Sequence, residues 1–335
     1  MHDTERLIGL LGDFSSLKIA VIGDFVADFF LLGQTKRVSR EAPVLVLEHQ
    51  EEKRFLGGAA NAINNIRALG AKPIPIGVVG DDDAGHQILK RFEEMNIDTT
   101  HVVCDAAEAT TTKQRILGSG LHTTFQQIVR IDRGTRTPVK CETRDALIHS
   151  LDSLSGNVDA IVVSDYDYGV ITNEVIKRLN EISDQTSLKV LIDSRYRLGR
   201  FNKPFAVTPN EPEAQEATGI DVRDEDDLIE VGREIIRMTE SKTVLITRGK
   251  KGMALFEGDS VKMIPIFGSD EISDVTGAGD TVMAVFSAAC CVGASAYEAT
   301  VLANVAGGLV VMKNGTATVS RQEIIDALRR ENPWL

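Results

Sequence analysis

The octapeptide "DVTGAGDT", residues 274–281, decides the fold prediction, because it places small residues and an acid directly before the apolar run "VMAVFSAACCVGA" at 282–294. The apolar run predicts a buried helix that begins close to Asp280. Exposed backbone N–H groups at small residues, together with the positive end of a helix dipole, bind anions such as phosphate. Asp280 either caps this helix or takes a proton from a hydroxyl group while a phosphoryl group is held beside it.

The composition is that of an ordinary globular chain with an acidic balance. Of 335 residues, 43% are hydrophobic and 26% are charged, and the formal net charge is −12. Such a charge argues against nucleic acid or an anionic membrane as the main partner, and leaves a small anionic substrate possible. The four cysteines lack metal-type spacing and are expected to be free thiols in a reducing compartment.

Neither a targeting segment nor a membrane span is expected from the sequence. The start, "MHDTERLIGLLGDF", contains acids and has no long apolar stretch, so no signal peptide is indicated. The apolar runs 282–294 and 299–312 are each shorter than the roughly 20 residues that a membrane span needs. We therefore expect two buried core helices and a cytoplasmic protein.

Short apolar runs alternate with helical patterns along most of the chain. Because the runs are almost continuously apolar, they predict parallel strands covered by helices on both faces, within a single α/β domain. Ligands of such sheets bind beyond the carboxyl ends of the strands. The polar residues expected at that edge are Asp24, Asp165, Asp193, Asn210 and Arg248.

Two segments, 29–55 and 109–132, instead alternate apolar and polar residues. This pattern is typical of hairpin strands with one exposed face, and we interpret them as a small β lid over the carboxyl edge of the sheet. Exposed strand edges pair readily with other strands. We therefore expect a homodimer formed through the lid strands.

Several common enzyme signatures are absent from the sequence. The first strand, 18–23, leads into "GDFVAD" (23–28), which lacks the second and third glycines of the fingerprint of dinucleotide-binding folds and so disfavours a dehydrogenase. A Walker P-loop, a zinc-protease motif and a nucleophile elbow are also missing. The sequence therefore indicates none of these enzyme classes.

Three motifs together closely resemble the PfkB/ribokinase family of carbohydrate kinases. "FLGGAANAINNIRALGA" (55–71), "TPNEPEA" (208–214) and "DVTGAGDT" occur in family order, and the resemblance covers nearly the whole chain. It implies a ribokinase-like three-layer fold with a mostly parallel sheet and a lid. It also implies transfer of the γ-phosphoryl group of ATP to a sugar hydroxyl with Mg²⁺.

The resemblance assigns roles to individual residues. Asp280 matches the general base, and Gly277, Ala278 and Gly279 match the backbone anion hole for the transferred group. Asn210 and Glu213 match a pair that organises Mg²⁺, through water. Residues at positions that contact nucleotide in the family are Thr247, Arg248, Gly249, Gly252 and Asn304.

A narrower resemblance, carried by "SREAPVLVLE" (39–48), "TTTKQRI" (110–116) and "VVSDYDYG" (162–169), is to the heptose kinases of ADP-heptose and lipopolysaccharide core synthesis. It implies phosphorylation of D-glycero-D-manno-heptose 7-phosphate at O1. Many such proteins carry a nucleotidyltransferase domain after the kinase; none is expected here. The sugar is expected to contact Asp24, Asp28, Gly57, Gly58, Asn61 and Asp165, and its phosphate Lys113, Arg115 and Arg195.

Two segments depart from the pattern of the heptose kinases. This chain has "SDYDYG" at 164–169, where those members are closer to "SDYGKG", and "DSR" at 193–195, where they are closer to "DPK". The reaction type is unaffected, but the sugar stays open. Alternatives are another PfkB sugar kinase, similar to fructokinase or ribokinase, and a non-catalytic module that senses a sugar or nucleotide.

Overall fold

The strands of the protein form two separate sheets. The computed structural model describes residues 4–120, 125–268, 275–313 and 315–330. The strands within these ranges are β1 (Lys18–Gly23), β2 (Phe25–Val38), β3 (Leu45–Gly58), β4 (Lys72–Gly80), β5 (Val102–Asp105), β6 (Thr111–Ser119), β7 (Gln126–Arg133), β8 (Ala160–Asp165), β9 (Lys189–Ser194), β10 (Ala206–Val207), β11 (Thr243–Thr247), β12 (Met253–Glu257) and β13 (Ser260–Ile264).

Nine of these strands make the central sheet, in the order β13-β12-β11-β10-β9-β8-β1-β4-β5. From β5 to β11 the neighbours pair in parallel, as predicted. Strands β12 and β13 continue the sheet in antiparallel pairing. The sequence analysis did not predict these two strands or β5, which are only four or five residues long.

Helices cover both faces of the central sheet. They are α1 (Thr4–Asp13), α2 (Ala59–Ala68), α3 (Asp83–Glu94), α4 (Cys141–Leu154), α5 (Asn173–Gln185), α6 (Glu211–Thr218), α7 (Glu225–Thr239), α8 (Ala278–Cys291), α9 (Ala296–Val310) and α10 (Arg321–Arg330). One apolar core contains residues of α1–α3 and α8–α10, and the other contains residues of α4–α7. The predicted three-layer α/β architecture is therefore confirmed. Across the described ranges, no helix has both the length and the apolar character needed to cross a membrane.

The second sheet is the predicted lid, with the strand order β3-β2-β6-β7. It contains most of the predicted segments 29–55 and 109–132, although residues 121–124 of the second segment lie outside the described residues. Because Asp28 and Lys113 are register partners, their side chains share one face of the lid. The intervening residues, such as Phe29, belong to the opposite face.

Candidate active site

The turn before α8 has the geometry of an anion-binding helix start. Gly277 is the N-cap, with φ +80°, and because it is a glycine no side chain caps the first N–H groups of the helix. The Thr281 N–H donates to the Gly277 carbonyl at 3.2 Å, so the amides of Gly279 and Asp280 precede the first hydrogen bond of the helix. Gly279 is exposed, and a Cβ built on it would meet no atom within 4 Å. Backbone donors at this turn are thus accessible to a phosphoryl group.

Asp280 does not cap the helix, which corrects the simpler of the two interpretations of the octapeptide. It is the third residue inside α8, and its carboxylate is buried at 3% exposure. Asn61 Nδ2 donates to Oδ2 at 2.8 Å, and the Tyr166 hydroxyl donates to Oδ1 at 3.0 Å. Asp274, at the start of the same motif, lies outside the described residues.

Burial raises the pKa of Asp280 to about 6. The hydrogen bonds from Asn61 and Tyr166 and the charge of Lys113 oppose that rise, while the charge of Asp28 adds to it. A carboxyl group with this pKa is ionised at neutral pH and is a stronger base than an ordinary aspartate. General-base catalysis needs a group of this kind.

The glycine pair before α2 allows the Asp28 carboxylate and the backbone carbonyl of Asp24 to approach the chain closely. A Cβ on Gly57 would lie 2.3 Å from Asp28 Oδ2, and one on Gly58 would lie 2.5 Å from the Asp24 carbonyl. Gly58 also has φ +56, which side chains rarely adopt. The pair thus sets lid residues close to Asn61, which follows it on α2.

The lid contributes an ion pair and a lysine to the site. Arg115 Nη1 contacts Asp28 Oδ1 at 2.5 Å, and both side chains are largely buried. Burial raises the pKa of Asp28, and Arg115 opposes this. Lys113 is 8% exposed, and burial lowers the pKa of its ammonium group. Its Nζ lies 5.0 Å from the centroid of the Tyr166 ring and 5.5 Å from that of Tyr168.

Arg195 meets Lys113 at the same aromatic ring. Its guanidinium carbon lies 4.7 Å from the centroid of Tyr166, whose hydroxyl bonds Asp280. Among the described residues, neither Lys113 nor Arg195 has a salt bridge within 4.0 Å, which distinguishes them from Arg115. Two cations therefore converge beside the candidate base, and carboxylates such as Asp28 and Asp193 act on them only from beyond salt-bridge distance within the described part of the chain.

The carboxylate of Asp24 is bound by backbone groups of the protein. Its carboxylate accepts hydrogen bonds from the backbone N–H groups of Tyr166 at 2.8 Å, Tyr168 at 3.1 Å and Val170 at 3.2 Å. Burial and the neighbouring Asp165 raise its pKa to about 6. We predicted a sugar contact for Asp24; the geometry favours a role in shaping the loop that presents Tyr166.

Asp165 is likewise committed to protein partners. Arg197 binds both of its oxygens, with Nη2 at 2.6 Å and Nε at 3.2 Å, and the Ser194 hydroxyl donates to it at 2.7 Å. Its side chain is 1% exposed. The predicted substrate contact is thus less favoured than a structural ion pair that fixes the end of β8.

A separate pocket brings together most of the predicted nucleotide residues. Its lining includes Thr247, Gly249, Gly252 and Asn304, together with Ala278 and Gly279 of the α8 turn and Gly307 and Gly308 of α9. Asn304 Nδ2 donates to the Pro265 carbonyl at 2.8 Å. Arg248 does not line the pocket; its Nε contacts Glu211 at 3.1 Å. Gly307 and Gly308 were not predicted from the sequence, although a glycine pair inside an apolar helix is a recognisable signal of close packing or function.

Asn210 and Glu213 form the capping box of α6. Asn210 Oδ1 accepts from the Glu213 N–H, and Glu213 Oε2 accepts from the Asn210 N–H, both at 2.9 Å. Burial raises the pKa of Glu213, and that of Asp193 is raised by burial, by Glu213 and by Asp280. A cation would relieve this repulsion. Carboxylate oxygens such as those of Glu213 and Asp193 are of the type that Mg²⁺ binds. Among the described residues, no cluster of three or more acidic, histidine or cysteine side chains could hold a metal ion.

Known proteins resemble the chain over most of its length. A family model described as "pfkB family carbohydrate kinase" matches residues 16–323. A curated relative, "Bifunctional protein HldE" of Helicobacter hepaticus, is 34% identical over 317 residues, which are 94% of this chain and 64% of that protein. The protein of the same name from Geobacter sulfurreducens is 36% identical over 328 residues, 97% and 66% respectively. The chain thus spans just under two thirds of the length of these relatives.

Solved structures with the same fold are more distant in sequence. Ribokinase of Arabidopsis thaliana, complexed with ribose and ATP, superposes with a TM-score of 0.72 at 20% identity, over 93% of this chain and 99% of that one. Phosphofructokinase-2 of Escherichia coli gives a TM-score of 0.75 at 16% identity, over 94% and 98%. At these identities the comparison bears on the fold alone.

Proposed function

Because the chain belongs to the pfkB family of carbohydrate kinases, we propose that it phosphorylates D-glycero-D-manno-heptose 7-phosphate at O1, giving the 1,7-bisphosphate for ADP-heptose synthesis. The chain is an ATP-dependent sugar kinase; what we propose is the identity of the sugar acceptor and the roles of the residues in the site. The observation that carries the proposal is the convergence of Lys113 and Arg195 beside Asp280. A kinase whose acceptor already bears a phosphate needs such cations within its sugar site.

In the proposed reaction, Asp280 takes the proton from the acceptor hydroxyl while that oxygen attacks the γ-phosphorus of ATP. The bond between the γ-phosphorus and the bridging oxygen of ADP breaks, and ADP leaves. The amides of Gly279 and Asp280 stabilise the charge on the transferred group, since they are open to ligand at the start of α8. Asn210 and Glu213 would hold Mg²⁺ through water, and the ion would neutralise charge at the ATP phosphates.

The acceptor itself lies, in this proposal, between the lid and α2. Asn61 and Asp28 face the sugar hydroxyls, with Asp28 held in place by Arg115. Lys113 and Arg195 hold the 7-phosphate. The similarity to proteins named HldE and the heptose-kinase motifs support this choice of sugar.

A panel of ATP-coupled assays tests the substrate. Turnover of heptose 7-phosphate, fructose, ribose and fructose 6-phosphate is compared at matched concentrations. We expect heptose 7-phosphate to have the highest kcat/KM. If unphosphorylated sugars turn over and heptose 7-phosphate does not, the proposal is wrong and the chain is a fructokinase-like or ribokinase-like member. No turnover of any sugar, with binding retained, would support a sensing module.

We propose further that the chain forms a homodimer through the lid. An apolar row crosses the lid face opposite Asp28, because Leu31 pairs with Ile116 and Ile116 pairs with Val129. Val129 is 44% exposed and Ile131 40% exposed. A second lid would cover these side chains. The free cysteines and the use of ATP support a cytoplasmic location.

A further inference from the structure

Tyr166 contacts both the candidate base, Asp280, and the two cations of the proposed acceptor site, Lys113 and Arg195. Its hydroxyl donates to Asp280 Oδ1 at 3.0 Å. Its ring lies 5.0 Å from Lys113 Nζ and 4.7 Å from the Arg195 guanidinium carbon. The Tyr166 hydroxyl therefore contacts the candidate base, and the ring of the same side chain lies beside both cations.

The phenol is suited to this double contact. An ionised carboxylate offers no proton, so the bond to Asp280 requires that Tyr166 keep its own. Burial and the negative charges of Asp280 and Asp193 raise the pKa of Tyr166 well above its ordinary value. The electron-rich ring attracts cations, and this attraction places Lys113 and Arg195 without neutralising them as a carboxylate would.

The Asp24 carboxylate fixes the backbone of Tyr166. Asp24 accepts hydrogen bonds from the N–H groups of Tyr166 and of Tyr168, two residues further on. The base is fixed from its other side by Asn61. Because both ends are held, the phenol has a defined position relative to Asp280.

We infer that Tyr166 is a positioning residue for phosphoryl transfer, which orients Asp280 through its hydroxyl and places Lys113 and Arg195 for an anionic acceptor through its ring. This inference rests on the proposed function. It makes two separable predictions, because the hydroxyl and the ring can be removed independently.

The charged groups that face Asp280 come from several elements. Lys113 and Asp28 belong to the lid, and Asp193 lies at the end of β9, beside Arg195. Replacing Tyr166 by Phe leaves all four in place and removes one donor to the carboxylate. The pKa of Asp280 should then rise, since a hydrogen bond to the ionised form is lost.

The experiment compares Tyr166→Phe and Tyr166→Leu with the control Tyr196→Phe, which removes the hydroxyl of an exposed tyrosine. For Tyr166→Phe we expect kcat to fall about 10-fold with the sugar-phosphate KM nearly unchanged. The acid limb of its kcat/KM profile should move to higher pH. For Tyr166→Leu the sugar-phosphate KM should also rise roughly 5- to 30-fold. The KM for ATP should stay constant in both.

A second measurement does not depend on turnover. Calorimetric titration with inorganic phosphate should give similar affinities for the native protein and Tyr166→Phe, and a weaker affinity for Tyr166→Leu. If the acid limb is unmoved in Tyr166→Phe, or if Phe and Leu weaken phosphate binding equally, the inference is wrong. If the native protein leaves heptose 7-phosphate unchanged, the proposed substrate fails. The two variants are then compared on whichever sugar turns over and on phosphate binding.

Discussion

The side-chain amide of Asn61 donates a 2.8 Å hydrogen bond to Oδ2 of Asp280, across 219 positions of sequence. The contact joins α2 to α8 and thereby joins two of the three family motifs. Asn65 extends it, because its Nδ2 donates to the Asn61 carbonyl at 3.0 Å and its Oδ1 accepts from the Thr281 hydroxyl at 2.9 Å. The candidate base is therefore held by a polar network inside an apolar interface.

Removal of this amide should alter the pH dependence of the enzyme. In the native protein, kcat/KM should fall as pH drops through about 6, because Asp280 must be ionised to act as a base. In Asn61→Ala the pKa of Asp280 should rise, so the fall should begin at higher pH. The control is Asn64→Ala, three residues along the same helix. Coincident pH profiles for Asn61→Ala and the native protein would refute the coupling.

Replacement of Asp280 by Asn should nearly abolish transfer. The amide preserves the size of the side chain but accepts no proton, and loss of a general base costs on the order of 10² in kcat or more. ATP affinity, measured calorimetrically, should stay close to that of the native protein, since the nucleotide pocket is unchanged. Retention of native kcat would show that another group is the base.

The cations at Tyr166 should discriminate between acceptors. Lys113→Met and Arg195→Met should each raise the KM for heptose 7-phosphate about 10-fold or more, because each removes a charge-assisted bond to the phosphate. The KM for ATP should not change. Lys177→Met, at an exposed position on α5, is the matched control. An equal rise in the KM values for the sugar phosphate and for ATP would contradict the assignment of Lys113 and Arg195 to the sugar phosphate.

A side chain at Gly279 should block the anion site without unfolding the protein. A Cβ there meets no atom within 4 Å, so Gly279→Val is expected to leave the melting temperature almost unchanged. The branched side chain would occupy the space of the phosphoryl group, and kcat/KM should fall roughly 10²-fold, as for loss of an oxyanion donor. Gly9→Val, where a Cβ is also free of contacts, should retain full activity.

If the lid forms the dimer interface, a charged substitution in the lid should lower the molecular mass of the protein in solution from that of a dimer to that of a monomer. Ile131→Lys would place a charge in the apolar face, and we expect a monomer by light scattering coupled to size exclusion. Gln127→Lys, on the same strand, should leave the dimer intact. A native protein that is already monomeric, or a dimer unaffected by Ile131→Lys, would exclude this interface.

The layered fold could be predicted because its signals are local. The apolar runs at β1 and β8 are buried on both faces, and such runs are recognisable without knowledge of their neighbours. Strands β12 and β13 were missed because they are short and lie at the antiparallel edge, where the β–α alternation ends.

The positions of the site residues were easier to predict than their contacts, since the type of a residue does not determine which group it binds. An acid at the end of a strand serves a ligand or the backbone equally well, and Asp24 turned out to accept three backbone N–H groups. Tyr166 lies within the segment "VVSDYDYG" that carries the heptose-kinase resemblance, but its contacts with Asp280, Lys113 and Arg195 were not predicted. Its importance comes from the packing of the lid and β9 around one ring, which no spacing in the sequence encodes.

The lid strands β2 and β3 leave and rejoin the body at one point. Only Asp24 separates β1 from β2, and Ala59, directly after β3, donates its N–H to the Asp24 carbonyl at 3.0 Å. The hairpin is thus an insertion whose two ends already touch. Exchange of its sequence for that of another kinase need not disturb α8 or the nucleotide pocket. The hairpin carries Asp28, one of the proposed acceptor contacts, so evolution or engineering can change this contact through a segment that lies outside the nucleotide pocket.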